Sequence, residues 1–112
     1  MAGPGGGEPY SKPNGTITIL AETPQISLFD FAVEPGWGPV EPHVHESQVD
    51  SFFVVDGELV LEVDGEEVGV GPGGFVAAPP GISHGIRRME ATTRLLNFHA
   101  PDDGFAEFIR ED

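Results

Sequence analysis

Sixteen glycines and eleven prolines fall at short intervals through 112 residues, and they interrupt every segment long enough to become an extended helix. Between them lie brief runs that are apolar, or that alternate apolar with polar, which is the pattern of strands separated by turns. Eight or nine strands fit between residues 16 and 99, among them 40–45, 50–55, 58–63, 84–88 and 92–99. Asp64-Gly65, between LVLEV and EEVGV, is the strongest hairpin signal, because both residues tolerate a positive φ. Asp56-Gly57 predicts a second reversal. The run GVGPGGF predicts a tight turn. Only the tail PDDGFAEFIRED reads as helical, with Phe105, Phe108 and Ile109 at i, i+3, i+4 after an aspartate cap. The expected fold class is therefore all-β with a short C-terminal helix.

A chain of this length supports one core, so a single domain over residues 16–112 is expected, preceded by a flexible leader over residues 1–15, which are rich in Gly, Pro and polar residues. That leader lacks the basic and apolar segments of a secretory signal, and no run approaches the roughly 18 apolar residues of a membrane span. A cytoplasmic location and no membrane partner are the expectation. Nineteen acidic residues against five basic ones give a formal charge of −14, which repels phosphate backbones and argues against nucleic acid as a partner. No helix-turn-helix segment is evident. Cysteine is absent, so any metal must be held by nitrogen and oxygen.

Those donors are concentrated in PHVHESQVDSFFVVDG. His43 and His45 alternate along one strand and so share a face. Asp50 lies an odd number of residues beyond His45 and would face away in a straight strand. A reversal at Glu46–Gln48 that starts a new antiparallel strand returns it to the histidine side. Downstream, the Pro80-Gly81 turn can aim a third histidine, His84. Two histidines on one strand face are equally a plain surface feature. Three imidazoles and a carboxylate, however, form a donor set suited to a divalent transition ion: Fe, Mn, Ni, Co, Cu or Zn.

These residues resemble the two motifs of the cupin superfamily. His43, His45, Asp50 and Gly57 follow the order and spacing of the first motif, with Gly38 one residue closer than usual and Asp where relatives carry Glu. Gly73, Pro79, Gly81 and His84 follow the second, with Arg88 at its Asn position. The resemblance spans roughly residues 16–101. It implies a double-stranded β-helix, or jelly-roll barrel, of the small single-domain cupin type, with His43, His45 and His84 as metal ligands near one mouth and a homodimeric assembly. Asp50 either ligates directly or orients a water on the ion; a buried carboxylate needs a compensating cation, which favours direct ligation.

Strand parity from Asp50 places Phe52 and Val54 inward, and parity from His84 places Ile86 and Arg88 inward; Leu61 joins them from the 58–63 strand. This set predicts a mostly apolar substrate-binding cavity with one cation. For Arg87, Arg88 and Arg94 the competing expectation is pairing with the acidic excess on the surface. His99 is expected at the surface or rim, and Trp37 either lines the mouth or covers a sheet edge. Small cupins of this kind include dioxygenases acting on flavonols and diketones. An apolar cavity suits O2 and a hydrophobic, enolisable or aromatic substrate, so a metal-dependent dioxygenase is the favoured expectation, with Asp50 as catalytic base. A metal-dependent isomerase, decarboxylase or cyclase, and a non-catalytic small-molecule binder, are the alternatives.

Overall fold

The structure is a computed structural model, and it describes residues 6–111. Among these residues the chain forms ten strands and one helix: β1 Glu8–Lys12, β2 Gly15–Glu22, β3 Ser27–Val33, β4 Val40–His43, β5 Val49–Asp56, β6 Leu59–Val63, β7 Glu66–Val70, β8 Phe75–Ala78, β9 His84–Met89, β10 Thr93–Ala100 and α1 Phe105–Glu111. They build two antiparallel sheets. One has the order β1-β2-β3-β10-β5-β8 and the other β4-β9-β6-β7. This is the jelly-roll barrel that the turn pattern and the motifs predict.

Alternation along the strands makes the core. SLFDFAV on β3 buries Phe29, Phe31 and Val33 and turns Leu28, Asp30 and Ala32 outward. Val54 and Leu95 from the same sheet meet Leu59 and Leu61 from the other, all essentially sealed from solvent. Each such side chain contributes about 1.5–3 kcal/mol through burial. Asp64 and Gly65 have φ of 51° and 83° and close a two-residue hairpin with Val63 opposite Glu66. At Gly57 φ is +89°, and a Cβ would lie 2.4 Å from the Thr92 carbonyl oxygen, so only glycine closes the turn from β5 to β6.

Three expectations are corrected. The segment read as a flexible leader contains β1, which pairs along its length with β2. Its polar sequence EPYSK hides a strand because β1 is the sheet edge, where Pro9 needs no ladder partner for its missing N–H. Arg110 of α1 ties this edge down, 2.8 Å from both Glu8 and Glu22. Residues 1–5 of the expected leader lie outside the described residues. The second correction concerns α1, which buries Ala106 and Ile109 and leaves Phe108 65% exposed. The third concerns the reversal at Glu46–Gln48. It does not join neighbouring strands, because β4 pairs with β9 while β5 lies in the other sheet between β10 and β8. Among the described residues no helix is long and apolar enough to cross a membrane.

Candidate metal centre

Crossing between sheets is what gathers the donors. His43 ends β4 and stands opposite His84, the first residue of β9. His45 follows just beyond β4, and its carbonyl accepts a hydrogen bond of 2.9 Å from Gly81 N–H, which ties the Pro80-Gly81 turn leading to His84 against the first motif. Asp50 approaches from β5 on the opposite sheet. One donor atom from each of His43, His45, Asp50 and His84 falls within 4.8 Å of every other, and the three imidazole centroids are 4.7–5.1 Å apart.

Two of the three rings are fixed by backbone carbonyls. His43 Nδ1–H donates to the Glu41 carbonyl at 2.9 Å and His84 Nδ1–H to the Ile82 carbonyl at 3.1 Å, so both turn Nε2 toward the cluster. His45 Nδ1 faces Asp103 Oδ2 at 3.7 Å, and its Nε2 lies 3.6 Å from Asp50 Oδ2. His84 Nε2 is 2.9 Å from the same oxygen. Adjacent donors bonded at roughly 2.1 Å to one octahedral ion lie about 3 Å apart, so the spacing fits a transition ion. Fixing Nδ1 by a carbonyl or carboxylate while Nε2 ligates is the usual support of a metal-binding histidine.

Burial would raise the pKa of Asp50, but hydrogen bonds with His84, His99 and Asn97 outweigh it and hold the carboxyl well below the usual carboxylate range. Burial pushes the His45 imidazole down, only partly offset by Asp50, which favours the neutral form a metal requires. At His84 the opposing burial is outweighed by the Asp50 carboxylate and the Ile82 carbonyl, and its pKa is raised.

His99 is not at the rim. It is 4% exposed and faces inward on β10, between two carboxylates. Its Nδ1–H donates to Asp103 Oδ1 at 2.7 Å. Asn97 Nδ2 donates to Asp50 Oδ1 at 2.6 Å and to the Ser51 carbonyl at 3.0 Å; the carbonyl can only accept, which fixes the amide orientation. Asn97 Oδ1 therefore accepts from His99 Nε2–H at 2.8 Å. Burial lowers the His99 pKa, but the hydrogen bonds with Asp103 and Asp50 prevail and raise it to about 9. Asn97 and Asp103 were missed in the sequence. The inward parity of Leu95 carried along β10 finds both Asn97 and His99, whereas Asp103 reads only as a helix cap, a role it also fills by accepting from Phe105 N–H at 3.2 Å.

Above the donors is a cavity of about 120 Å³. Phe52 and Ile86 line it, together with Phe31, Trp37, Val40 and Phe105. Val54 and Leu61 are sealed in the core and are not on the wall. Arg88 is corrected outright: it lies on the outer face, bonded to Glu90 at 2.7 Å and to Glu67. A bulge causes this. Leu61 pairs with Ile86 and Val60 with Arg88, so Arg87 is an extra residue in β9, and parity inverts beyond it, turning Met89 inward instead. Arg87 and Arg94 likewise pair on the surface, with Glu62 and Asp30.

A two-sheet barrel with three imidazoles and a carboxylate converging at the floor of an apolar cavity defines a small jelly roll that could hold a metal. Residues 29–98 match the cupin domain model, and the chain belongs to that family. Over 75 residues, 63% of this chain, it is 27% identical to quercetin 2,3-dioxygenase of Bacillus subtilis (strain 168), spanning 22% of that protein's length. Among solved structures it resembles KdgF from Halomonas sp. (24% identity, TM-score 0.77, covering 88% of this chain and 90% of that one). It also resembles an RmlC-like cupin from Shewanella frigidimarina (19% identity, TM-score 0.78, covering 89% and 88%). These two likenesses speak to the fold.

Proposed function

We propose that the chain binds one divalent transition ion through His43, His45, Asp50 and His84 and acts as a dioxygenase on a small enolisable substrate. The observation that carries this reading is the cavity: six apolar walls over a floor of three imidazoles and a carboxylate, with a volume of about 120 Å³. Such walls exclude water and admit O2 and a hydrophobic substrate. The ion, when bound, supplies Lewis acidity and, if redox-active, a means of using O2. Asp50 Oδ2, the carboxylate oxygen facing the cluster, would take the proton lost as the substrate becomes an enolate. For a 1,3-diketone, one O2 enters, the bond between the central carbon and a carbonyl carbon breaks, and both oxygen atoms leave in a carboxylic acid and a 2-oxo aldehyde, with no external reductant.

The cavity lies below the roughly 300 Å³ at which sites for drug-sized ligands begin. Similarity to quercetin 2,3-dioxygenase is therefore taken to extend to the chemistry and not to a flavonol substrate. Oxygen uptake by metal-loaded protein is expected with 2,4-pentanedione and not with quercetin. Absence of uptake across small enolisable compounds by protein that holds Fe, Ni or Cu contradicts the dioxygenase reading. The nearby His99–Asp103 pair supports a second reading, a metal-dependent isomerase or decarboxylase, which consumes substrate equally well without O2.

A homodimer is also proposed. The outer face of the six-stranded sheet, which would be polar if it faced water, carries Leu28, Phe98, Leu96, Phe53 and Phe75 in adjoining register positions. Light scattering is expected to give twice the chain mass for the wild type and a single chain mass for Leu96→Lys. A monomeric wild type contradicts the proposal.

A further inference from the structure

The two oxygens of Asp50 have different partners. Oδ1 is taken by Asn97 Nδ2 at 2.6 Å, with His99 Nε2 3.3 Å away, whereas Oδ2 faces His84 and His45. Asn97 is itself fixed at both ends, donating to the Ser51 carbonyl and accepting from His99, and His99 is fixed in turn by Asp103. Asp103 then returns to the cluster, with its other oxygen 3.7 Å from His45 Nδ1. The chain of contacts thus starts at the candidate carboxylate ligand and ends at a candidate histidine ligand. Asp50, Asn97 and His99 are all at most 5% exposed, so no water competes freely for these bonds.

We propose that Asn97 and His99, backed by Asp103, are positioning residues that fix Asp50 through Oδ1 and so present Oδ2 alone to the ion. This inference rests on the metal-centre reading above. A carboxylate on a short side chain can rotate about its Cβ–Cγ bond and offer two oxygens or none. Asn97 restricts that freedom, because rotation would break a bond of 2.6 Å and leave one buried amide N–H without its acceptor. Supports of this kind change metal affinity by about 10- to 100-fold.

The test is a double-substitution cycle between Asn97 and Asp50, read as cobalt(II) affinity by chelator competition and as the cobalt d–d absorption spectrum. Asn97→Ala is expected to weaken cobalt binding about 10- to 100-fold and to shift the spectrum as the carboxylate loses its fixed orientation. In an Asp50→Ala background the same substitution is expected to change neither. If Asn97→Ala does not fold, the uncharged and similarly sized Asn97→Leu enters the same cycle with the same expected pattern. Wild-type affinity in Asn97→Ala, or an equal loss in both backgrounds, overturns the positioning role. A wild-type protein that binds no cobalt overturns the metal-centre reading instead.

Discussion

Asp50→Ala is expected to lose more than 100-fold in metal affinity and about 3–5 kcal/mol of stability in the metal-free protein. Two separate consequences combine in this one change. The ion loses its only anionic donor among the four residues. The folded chain loses the acceptor for Asn97 and the carboxylate facing His84 and His99, leaving buried donors without partners and a buried imidazolium with one counter-charge where it had two. Asp50→Asn separates the two effects. It keeps the shape and one acceptor oxygen, so it should recover part of the stability while binding metal as weakly as the alanine variant. Urea unfolding of chelator-treated protein and a metal-affinity titration check the pair. Full metal affinity in either variant removes Asp50 from the ligand set.

Metal-free protein is expected to lose stability as pH rises from about 6.5 to 9. His99 has a folded pKa of about 9 against an ordinary value of 6.5, so it is protonated more readily in the folded chain. Its contribution is fully present below pH 6.5 and is lost as pH climbs through the folded value; the size is on the order of 3 kcal/mol. His84, also shifted up, acts in the same direction. His45 is shifted down and acts oppositely, its contribution being present above its ordinary value and lost below it. Asp50 and Asp103 are shifted down, so their contributions are present above the ordinary carboxylate range and disappear as pH falls through their folded values. Urea midpoints at pH 6.5 and 9.5 should therefore differ in the wild type, and the difference should shrink in His99→Gln. Equal midpoints in the wild type contradict the assignment of His99 as a buried cation between two carboxylates.

Parity explains both what the sequence disclosed and what it concealed. Where a strand runs unbroken the rule works: Asp50, Phe52 and Val54 on β5 all turn inward. It fails at Arg88 because a bulge adds one residue to β9, and nothing in HGIRRM announces which residue is extra. Along β10 the same rule puts Leu95, Asn97 and His99 in an inward series that ends on the donors. The reversal after His45 was foreseen, but whether it stays within a sheet or crosses between sheets depends on pairing partners far along the chain, which local spacing does not encode. β1 was hidden for a related reason: an edge strand made of EPYSK is stabilised by β2 and by Arg110, over a hundred residues away.

In the proposed centre, four residues from two sheets hold one ion. This is tested most directly by the metal-to-chain ratio after a chelator-stripped sample is reloaded with cobalt(II) and desalted, measured by elemental analysis beside His84→Ala. A ratio near one is expected for the wild type and near zero for the variant, because His84 meets His43 across the strand pair and Asp50 across the barrel. Equal ratios in the two proteins, or a wild-type ratio near zero at neutral pH, would contradict it.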